Sequence, residues 1–322
     1  ESARMSSSPD VLFSRLLARA RLRHLQLLVA VADHGTLKRA AEQVGMSQPA
    51  ATQAIGELER LLEVALFDRQ PRGMRVSAAG QVVMPVVRQA LHALELSLEA
   101  LSAVRSGASG LLRIGVIPAA NVSLVIESLP ALSQRHSRLQ VQVIEGTPSQ
   151  LLKELATGSL NVVLTRPPAQ LGARFCFEPL VTDQAVVVAG TRHPLASRTQ
   201  VSLDELAGYP WMQAPAGVKV RELFDELFAT RTQPIVHPLS TSSPTMIVAL
   251  LEDNRTVTLA PNSVADWYVR RGLAVRLAVD MAFPLAGLGA AYPAASRDEP
   301  ATAALLEVLR STAGERDARR RR

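Results

Sequence analysis

Apolar side chains recur at helical spacing from Leu22 to His34, where Leu25, Leu28, Val29 and Ala32 fall on one face. This predicts an amphipathic helix that Gly35 ends. Thr36 then stands as the N-cap of a second helix, Leu37–Val44, its hydroxyl able to accept from the free amides of the first turn. Ala40 and Ala41 on that helix are small enough for a neighbour to cross closely, and Gly45 supplies the turn. A third helix opens at Ser47, a favoured N-cap, with Pro49 in the first turn where its missing N–H costs nothing. It runs to Arg60, with Ala51, Ala54, Ile55 and Leu58 inward and Gln48, Pro49, Ala50, Thr52 and Gln53 at the exposed N-terminal end. Ahead of this block, Val11–Arg21 forms a short amphipathic extension with Leu12, Leu16, Leu17 and Ala20 on one side.

After a hairpin from Arg69 to Arg75, closed by Val76-Ser77, a long helix is predicted from Ala78 to Ser106. Its positions Val83, Val87, Ala90, Leu94, Ser97, Leu101 and Val104 alternate by four and three, the seam of a coiled coil. A lone helix with that stripe needs a partner, and the same helix of a second subunit is the expected one. Gly107–Gly110 breaks the pattern. Beyond it strands alternate with helices: Leu111–Pro118 strand, Val122–His136 helix, Leu139–Glu145 strand, Ser149–Thr157 helix, Leu160–Thr165 strand. Strands at Phe175–Val181 and Val186–Ala189 follow, then helices near Val220–Thr230 and Thr245–Glu252, a strand at Thr256–Ala260 and a last helix Ala301–Ser311. Such alternation predicts a mostly parallel sheet covered by helices, an α/β body.

At 322 residues, with 48% apolar and 20% charged side chains, the chain has the composition of a globular protein with two or three compact units. A net charge of +6 and a pI of about 10.2 favour polyanionic partners mildly, and part of the excess sits in the tail 312–322, read as a basic disordered end. The single cysteine, Cys176, excludes an internal disulfide and a cysteine-rich metal site, and it reads as a small core residue. No apolar run reaches the length of a membrane span and the start lacks a secretory pattern, so a cytoplasmic protein is expected. No metal or cofactor is expected. The chain lacks a glycine-rich phosphate cradle, a His-Glu-x-x-His pair and a Gly-x-Ser-x-Gly elbow, which argues against an enzyme.

The order of the first 88 residues carries the chemistry. A scaffold helix, a second helix with an exposed polar N-terminus and a basic hairpin are what a winged helix-turn-helix needs to read double-stranded DNA. Gln53 can pair with an adenine edge and the Ala50 methyl can meet a thymine methyl. No Lys or Arg precedes Arg60 on the reading helix, so phosphate anchoring falls to Lys38, Arg39 and the wing arginines Arg69, Arg72 and Arg75.

From Leu22 to about Ser311 the chain resembles a LysR-type transcriptional regulator. The residues that carry the resemblance are Thr36-Leu-Lys-Arg-Ala-Ala41, Met46-Ser-Gln-Pro-Ala-Ala51, Ile55-Gly-Glu-Leu-Glu59, Leu66-Phe-Asp-Arg69, Arg72-Gly73, Ser77-Ala-Ala-Gly80, His193-Pro-Leu-Ala196 and Leu259-Ala-Pro261. The resemblance implies a winged helix-turn-helix at 22–77 after an extension at 1–21, a dimerisation helix at 78–106, and a two-lobed effector domain at 111–311 like a periplasmic binding protein. Lobe one would comprise 111–183 and 279–311, and lobe two 184–278. Base and phosphate contacts map onto Ser47, Gln48, Pro49, Ala50, Thr52, Gln53, Arg69 and Arg72, the last for the minor groove. A homodimer, more often a homotetramer, would bind an interrupted inverted repeat in promoters and act on RNA polymerase.

In such domains a small-molecule inducer sits between the lobes, at carboxyl ends of strands and N-termini of helices. That expectation selects Pro118, Ala119 and Asn121, then Gly146 and Thr147, and from lobe two Gly217, Lys219, Val220, Thr241 and Ser242. Thr147 matches a ligand-contacting threonine of the family. Ala119 departs from its usual Ser or Thr, and Lys219 is a candidate for the positive charge of a carboxylate clamp. The Arg72-Gly-Met-Arg75 stretch and the short extension resemble a branch regulating sugar-binding-protein and aromatic-acid genes, so a sugar or an aromatic or other organic acid is the expected inducer. A two-lobed body alone also suits a solute-binding module, and duplex binding by residues 1–110 separates the two readings.

Overall fold

The computed structural model describes residues 8–71, 73–280 and 283–320, and it falls into two compact units, Glu1–Leu101 and Ser102–Arg322. In the first, α1 (Pro9–Arg19), α2 (Leu22–His34), α3 (Leu37–Val44) and α4 (Gln48–Leu62) precede a hairpin of β1 (Phe67–Gln70) and β2 (Gly73–Val76). Helix α5 (Ala78–Arg105) starts in this unit. Gly35 and Gly45 end α2 and α3 in the left-handed conformation, at φ 65° and 64°, which glycine adopts without a Cβ penalty. Leu27, Leu28, Val31, Ala40, Ala51, Ile55, Leu58 and Phe67 form the buried core of this unit. Leu16 and Ala20 of α1 pack onto it, which explains the amphipathic extension.

Two details of the expected pattern change. Thr36 occupies the N-cap position of α3, but its hydroxyl accepts no cap bond and lies buried without a partner among the described residues. On α5, Val87 is buried in the head's own core and Val83 packs against it, because Met84 and Val87 cover Leu28 and its neighbours. The large apolar side chains left exposed on α5 are Val82, Val86, Leu94, Leu98, Leu101 and Val104.

The second unit is one mixed sheet flanked by helices. It runs β3 (Gly110–Val116), α6 (Pro118–Ala120), a π-helical turn Asn121–Val125, α7 (Ile126–Arg135), β4 (Leu139–Glu145), α8 (Pro148–Thr157), β5 (Val162–Thr165) and β6 (Phe175–Ala189). Then come α9 (Leu203–Ala207), β7 (Pro210–Gln213), α10 (Lys219–Phe228), β8 (Ile235–Ser240), α11 (Pro244–Leu251), β9 (Val257–Pro261) and α12 (Asn262–Arg270). The unit closes with β10 (Val275–Arg276), β11 (Phe283–Pro293), a short 3-10 turn and α13 (Pro300–Arg320). The strand order is β4-β3-β5-β11-β6-β9-β7-β8, with β10 paired to β6. Two parallel groups, β4-β3-β5 and β9-β7-β8, are joined by the antiparallel pair β6 and β11.

Each group has its own core. Leu112, Ile114, Leu151, Val163, Leu306 and Leu309 fill the first lobe, and Val187, Leu206, Trp211, Phe224, Phe228 and Val257 fill the second. The sheet is therefore mixed and not mostly parallel, and the two strands expected at Phe175–Val181 and Val186–Ala189 are one. The polar Thr182-Asp-Gln184 stretch between them stays in the strand because Asp183 is satisfied there. Helix α13 likewise continues past Ser311, where a disordered tail was expected: Ala313 is buried in the lobe-one core.

Candidate DNA-reading surface and interlobe cavity

The reading helix α4 is presented by fixed backbone contacts. Ser47 Oγ accepts the Ala50 N–H at 3.4 Å. Arg23 of α2 donates to the Val44 carbonyl at 2.9 and 3.1 Å and also to that of Gly45, covering the C-terminus of α3 where the chain turns into α4. Glu59 accepts the Leu66 and Phe67 amides at 2.8 and 3.1 Å, which ties the base of the wing to α4. The far strand is pinned by Met74 N–H to the Gly35 carbonyl at 2.7 Å. Gly73 sits at φ 150°, where a Cβ would stand 2.2 Å from that same oxygen. Arg23 and Glu59 were not singled out by pattern; Glu59 lay inside a quoted motif without a stated role.

On this scaffold Ser47, Gln48, Pro49, Thr52 and Gln53 are exposed and Ala50 half-buried. Thr52 Oγ1 donates to the Gln48 carbonyl at 2.9 Å, whereas Gln53 makes no side-chain hydrogen bond among the described residues. Lys38, Arg39, Arg69 and Arg75 have no carboxylate partner among the described residues, so their charge is available to phosphate. Thr36, Lys38, Gln48, Thr52, Arg69 and Gly73 line one concavity of about 550 Å³ between the wing and α4. Arg72 lies outside the described residues.

In the second unit a cavity of about 460 Å³ opens between the lobes. Lobe one contributes Asn121, Val122 and Ile126 from the π-turn and its sequel, and Glu145 from the end of β4. Lobe two contributes Ser243, Pro244, Thr245, Val248 and Glu252 around α11, with Trp267 of α12. Asn121 Nδ2 donates to Glu145 Oε2 at 3.0 Å. Behind the cavity Val122 packs with Val264 and Tyr268, and Arg270 pairs with Glu127 at 2.7 Å. Burial without a charged partner pushes the Tyr268 phenol well up, and its hydroxyl donates to the Pro244 carbonyl.

Where the strands cross, the Asp183 carboxylate is fully buried and accepts four hydrogen bonds. Arg166 Nη2 donates at 3.0 Å, the Ser263 N–H at 3.0 Å, Ser263 Oγ at 2.9 Å and the Gln184 N–H at 3.0 Å. Arg166 also donates to the Ala286 carbonyl. This one carboxylate thus joins the end of β5 in lobe one, the crossing strands and the start of α12 in lobe two.

Residues 22–81 match the family described as bacterial regulatory helix-turn-helix protein, lysR family, and residues 105–314 match the LysR substrate binding domain. The chain belongs to the LysR family. The regulator GbpR of Azospirillum brasilense is 30% identical over 260 residues, 80% of this chain and 76% of its own. PcaQ of Agrobacterium fabrum is 27% identical over 92% of this chain and 96% of its own. The full-length CbnR structure with its target DNA superposes with a TM-score of 0.64 at 18% identity, covering 91% and 99% of the two chains, which speaks for the fold. This LysR-type chain is a DNA-binding transcriptional regulator with an effector-binding domain, not an enzyme. Among the described residues no helix is long and apolar enough to cross a membrane.

The expected effector residues of this LysR domain do not all converge. Of the ten, Asn121 lines the cavity. Pro118 and Ala119 start the helical run that carries it, one turn away. Thr147 is occupied in a capping box, donating to Gln150 Oε1 at 2.8 Å and accepting the Gln150 N–H, with Gly146 just before it. Lys219 is exposed and pairs with Glu222 at 2.7 Å, which holds its ammonium above the ordinary lysine range. Val220 is buried in the lobe-two core, and Gly217 forms a left-handed turn at φ 82° before α10. Thr241 Oγ1 accepts the Ser243 N–H at 3.0 Å, so it and Ser242 shape the entry to α11. Glu145, Glu252 and Trp267 were missed; Ser243-Pro244 is a helix-start signal that could have pointed to α11.

Proposed function

We propose that this regulator binds an interrupted inverted repeat as a homodimer, or as paired dimers, in the cytoplasm. The first turn of α4 enters the major groove, and Lys38, Arg39 and the wing cations hold the flanking phosphates. The observation that carries this reading is the exposed N-terminal edge of α4, Gln48, Pro49, Thr52 and Gln53, beside cations that have no carboxylate partner among the described residues. Pairing through α5 is supported by its exposed stripe Val82, Val86, Ala90, Leu94, Leu98 and Leu101. Apolar sheet edges support a second contact between copies: Val143 and Ile144 on β4, and Ile235, Val236 and Leu239 on β8.

A small molecule in the interlobe cavity binds one arrangement of the lobes better than the other, and the lobes move about the Asp183 junction. The spacing of the two heads on DNA changes, and with it bending and recruitment of RNA polymerase. A coupling of about 1–3 kcal/mol is what such switches typically carry. Footprinting of the full chain on its own promoter region, with and without inducer, tests both parts. The expected result is protection of two half-sites with an inducer-dependent change in footprint or bend. Equal affinity for promoter and scrambled duplex at moderate salt ends the DNA reading, and an unchanged footprint and bend end the switch.

A further inference from the structure

We propose that the interlobe cavity is built for an uncharged, hydroxyl-rich small molecule, a monosaccharide or a cyclic polyol, and disfavours organic acids. The inference rests on the reading of this cavity as the effector site.

Charge is the first argument. The lining holds two carboxylates, Glu145 and Glu252, and no Lys or Arg. Of the nearby cations, Arg270 pairs with Glu127, and Arg271 lies over the Trp267 ring at 4.2 Å without itself lining the cavity. Lys219, the candidate for a carboxylate clamp, pairs with Glu222 and does not line the cavity. An anion entering here meets two lining carboxylates and no lining cation, which weakens its binding.

Hydrogen-bonding capacity is the second. Because Asn121 Nδ2 is turned to Glu145 Oε2, the Asn121 Oδ1 and the second Glu145 oxygen are acceptors that call for ligand donors. An acid offers acceptors alone and an ammonium offers donors alone. A hydroxyl both donates and accepts, so a ring of hydroxyls can donate to the carboxylates and accept from the hydroxyls of the lining. Ser243 Oγ and Thr245 Oγ1, 3.0 Å apart, add two groups of the same dual character. The lining also holds Val122, Ile126, Val248 and Leu273, apolar side chains suited to the C–H groups of such a ring. The volume, about 460 Å³, suits a small ligand.

The chain has two tryptophans, Trp211 and Trp267, so in full-length Trp211→Phe protein the emission reports the cavity. Calorimetry on the unsubstituted protein makes the same comparison should that variant fold poorly. The probes are D-galactose, D-glucose, L-arabinose and myo-inositol against benzoate, citrate and putrescine. At least one neutral compound is expected to bind and shift Trp267 emission, and Glu145→Gln to weaken it ~10- to 100-fold. Binding of benzoate or citrate that Glu145→Gln tightens, preference for putrescine, or no binding by any neutral probe overturns the ligand class. If an acid or the amine still shifts Trp267 emission and is blocked by Val248→Trp, the effector site itself stands. A ligand that binds without moving Trp267 emission and survives Val248→Trp overturns the site.

Discussion

The head and the effector unit both keep polar groups in reserve, but they hold them in opposite ways. In the head the reading side chains stand exposed, and the scaffold beneath them is tied through backbone groups: Met74 to Gly35, Glu59 to Leu66 and Phe67, and Arg23 to Val44. In the effector unit polar groups line a cleft, and the two sides share a buried carboxylate, Asp183, beside the Val122–Val264–Tyr268 packing and the Arg270–Glu127 pair. A duplex has fixed groove dimensions, so its reader gains from a preset shape. A sensor must have two arrangements that differ in affinity for its ligand, so its halves need a defined junction and little else between them. The difference predicts that damage to one region leaves the other intact.

The largest expected effect is at that junction. Asp183→Ala removes a fully buried carboxylate and leaves half-buried Arg166 and the Ser263 and Gln184 donors without the group they share, a change that costs about 3–5 kcal/mol. Chemical denaturation should show the loss in the effector unit, while affinity of the undenatured protein for promoter DNA without inducer changes less than ~10-fold. A neutral effect on stability would mean that the lobes are held elsewhere. The mirror experiment is Gly73→Val. Its Cβ meets the Gly35 carbonyl at 2.2 Å, so the wing must shift at a cost of about 1–3 kcal/mol. DNA affinity should fall at least ~100-fold with the effector-unit transition unmoved. Loss of both transitions together would contradict the separation of the two bodies.

The same contrast governs what the sequence disclosed. Helices α2 and α3 match their predicted limits because the signals are local: Gly35 and Gly45 need positive φ, and Ser47 and Pro49 start a helix. The effector unit depends on distant neighbours. Strand β11 was missed because Leu285-Ala-Gly-Leu-Gly-Ala-Ala lacks the β-branched residues that mark strands. Its glycines have a tertiary cause, since a Cβ at Gly287 or Gly289 would stand 2.2 or 2.3 Å from the Val181 or Glu178 carbonyl oxygen. Strand β8 carries Pro238, tolerated because β8 is an edge. In the cavity, Glu145 and Glu252 belong to separate lobes and come together through the fold, which no spacing reveals. On α5, Val83 and Val87 turn inward because the head core claims that face, a tertiary effect that the helical period does not carry.

Within the head, two substitutions separate reading from anchoring. Gln53→Ala should weaken specific sites by about 1–3 kcal/mol and leave binding to scrambled duplex unchanged. Arg69→Ala should weaken all sequences alike and reduce the slope of log affinity against log salt by about 1. Fluorescence anisotropy across a salt series measures both. A uniform loss for Gln53→Ala would make it a positioning residue, and the preset shape of the head would then matter more than its base contacts.

The smallest effect concerns pH and falls on the effector unit alone. Glu178 of β6 accepts Arg310 Nε at 2.6 Å and Nη2 at 2.8 Å, and Tyr292 donates to it at 3.2 Å. The Arg310 hydrogen bonds outweigh partial burial and hold the Glu178 carboxyl below the ordinary glutamate range. A carboxyl lowered in the folded state contributes stability above its unfolded value, about 4.3, and loses that contribution as pH falls through the folded value. Arg310→Ala removes it at neutral pH. The effector-unit melting temperature of the variant should therefore lie slightly below that of the parent at about pH 7, with the gap closing toward about pH 3. The effect is small because the arginine is half exposed and screened. The head contains neither partner, so its own transition should show no such convergence. A gap that instead widens in acid would mean that Arg310 acts through packing of α13 against β6 and not through the charge of Glu178.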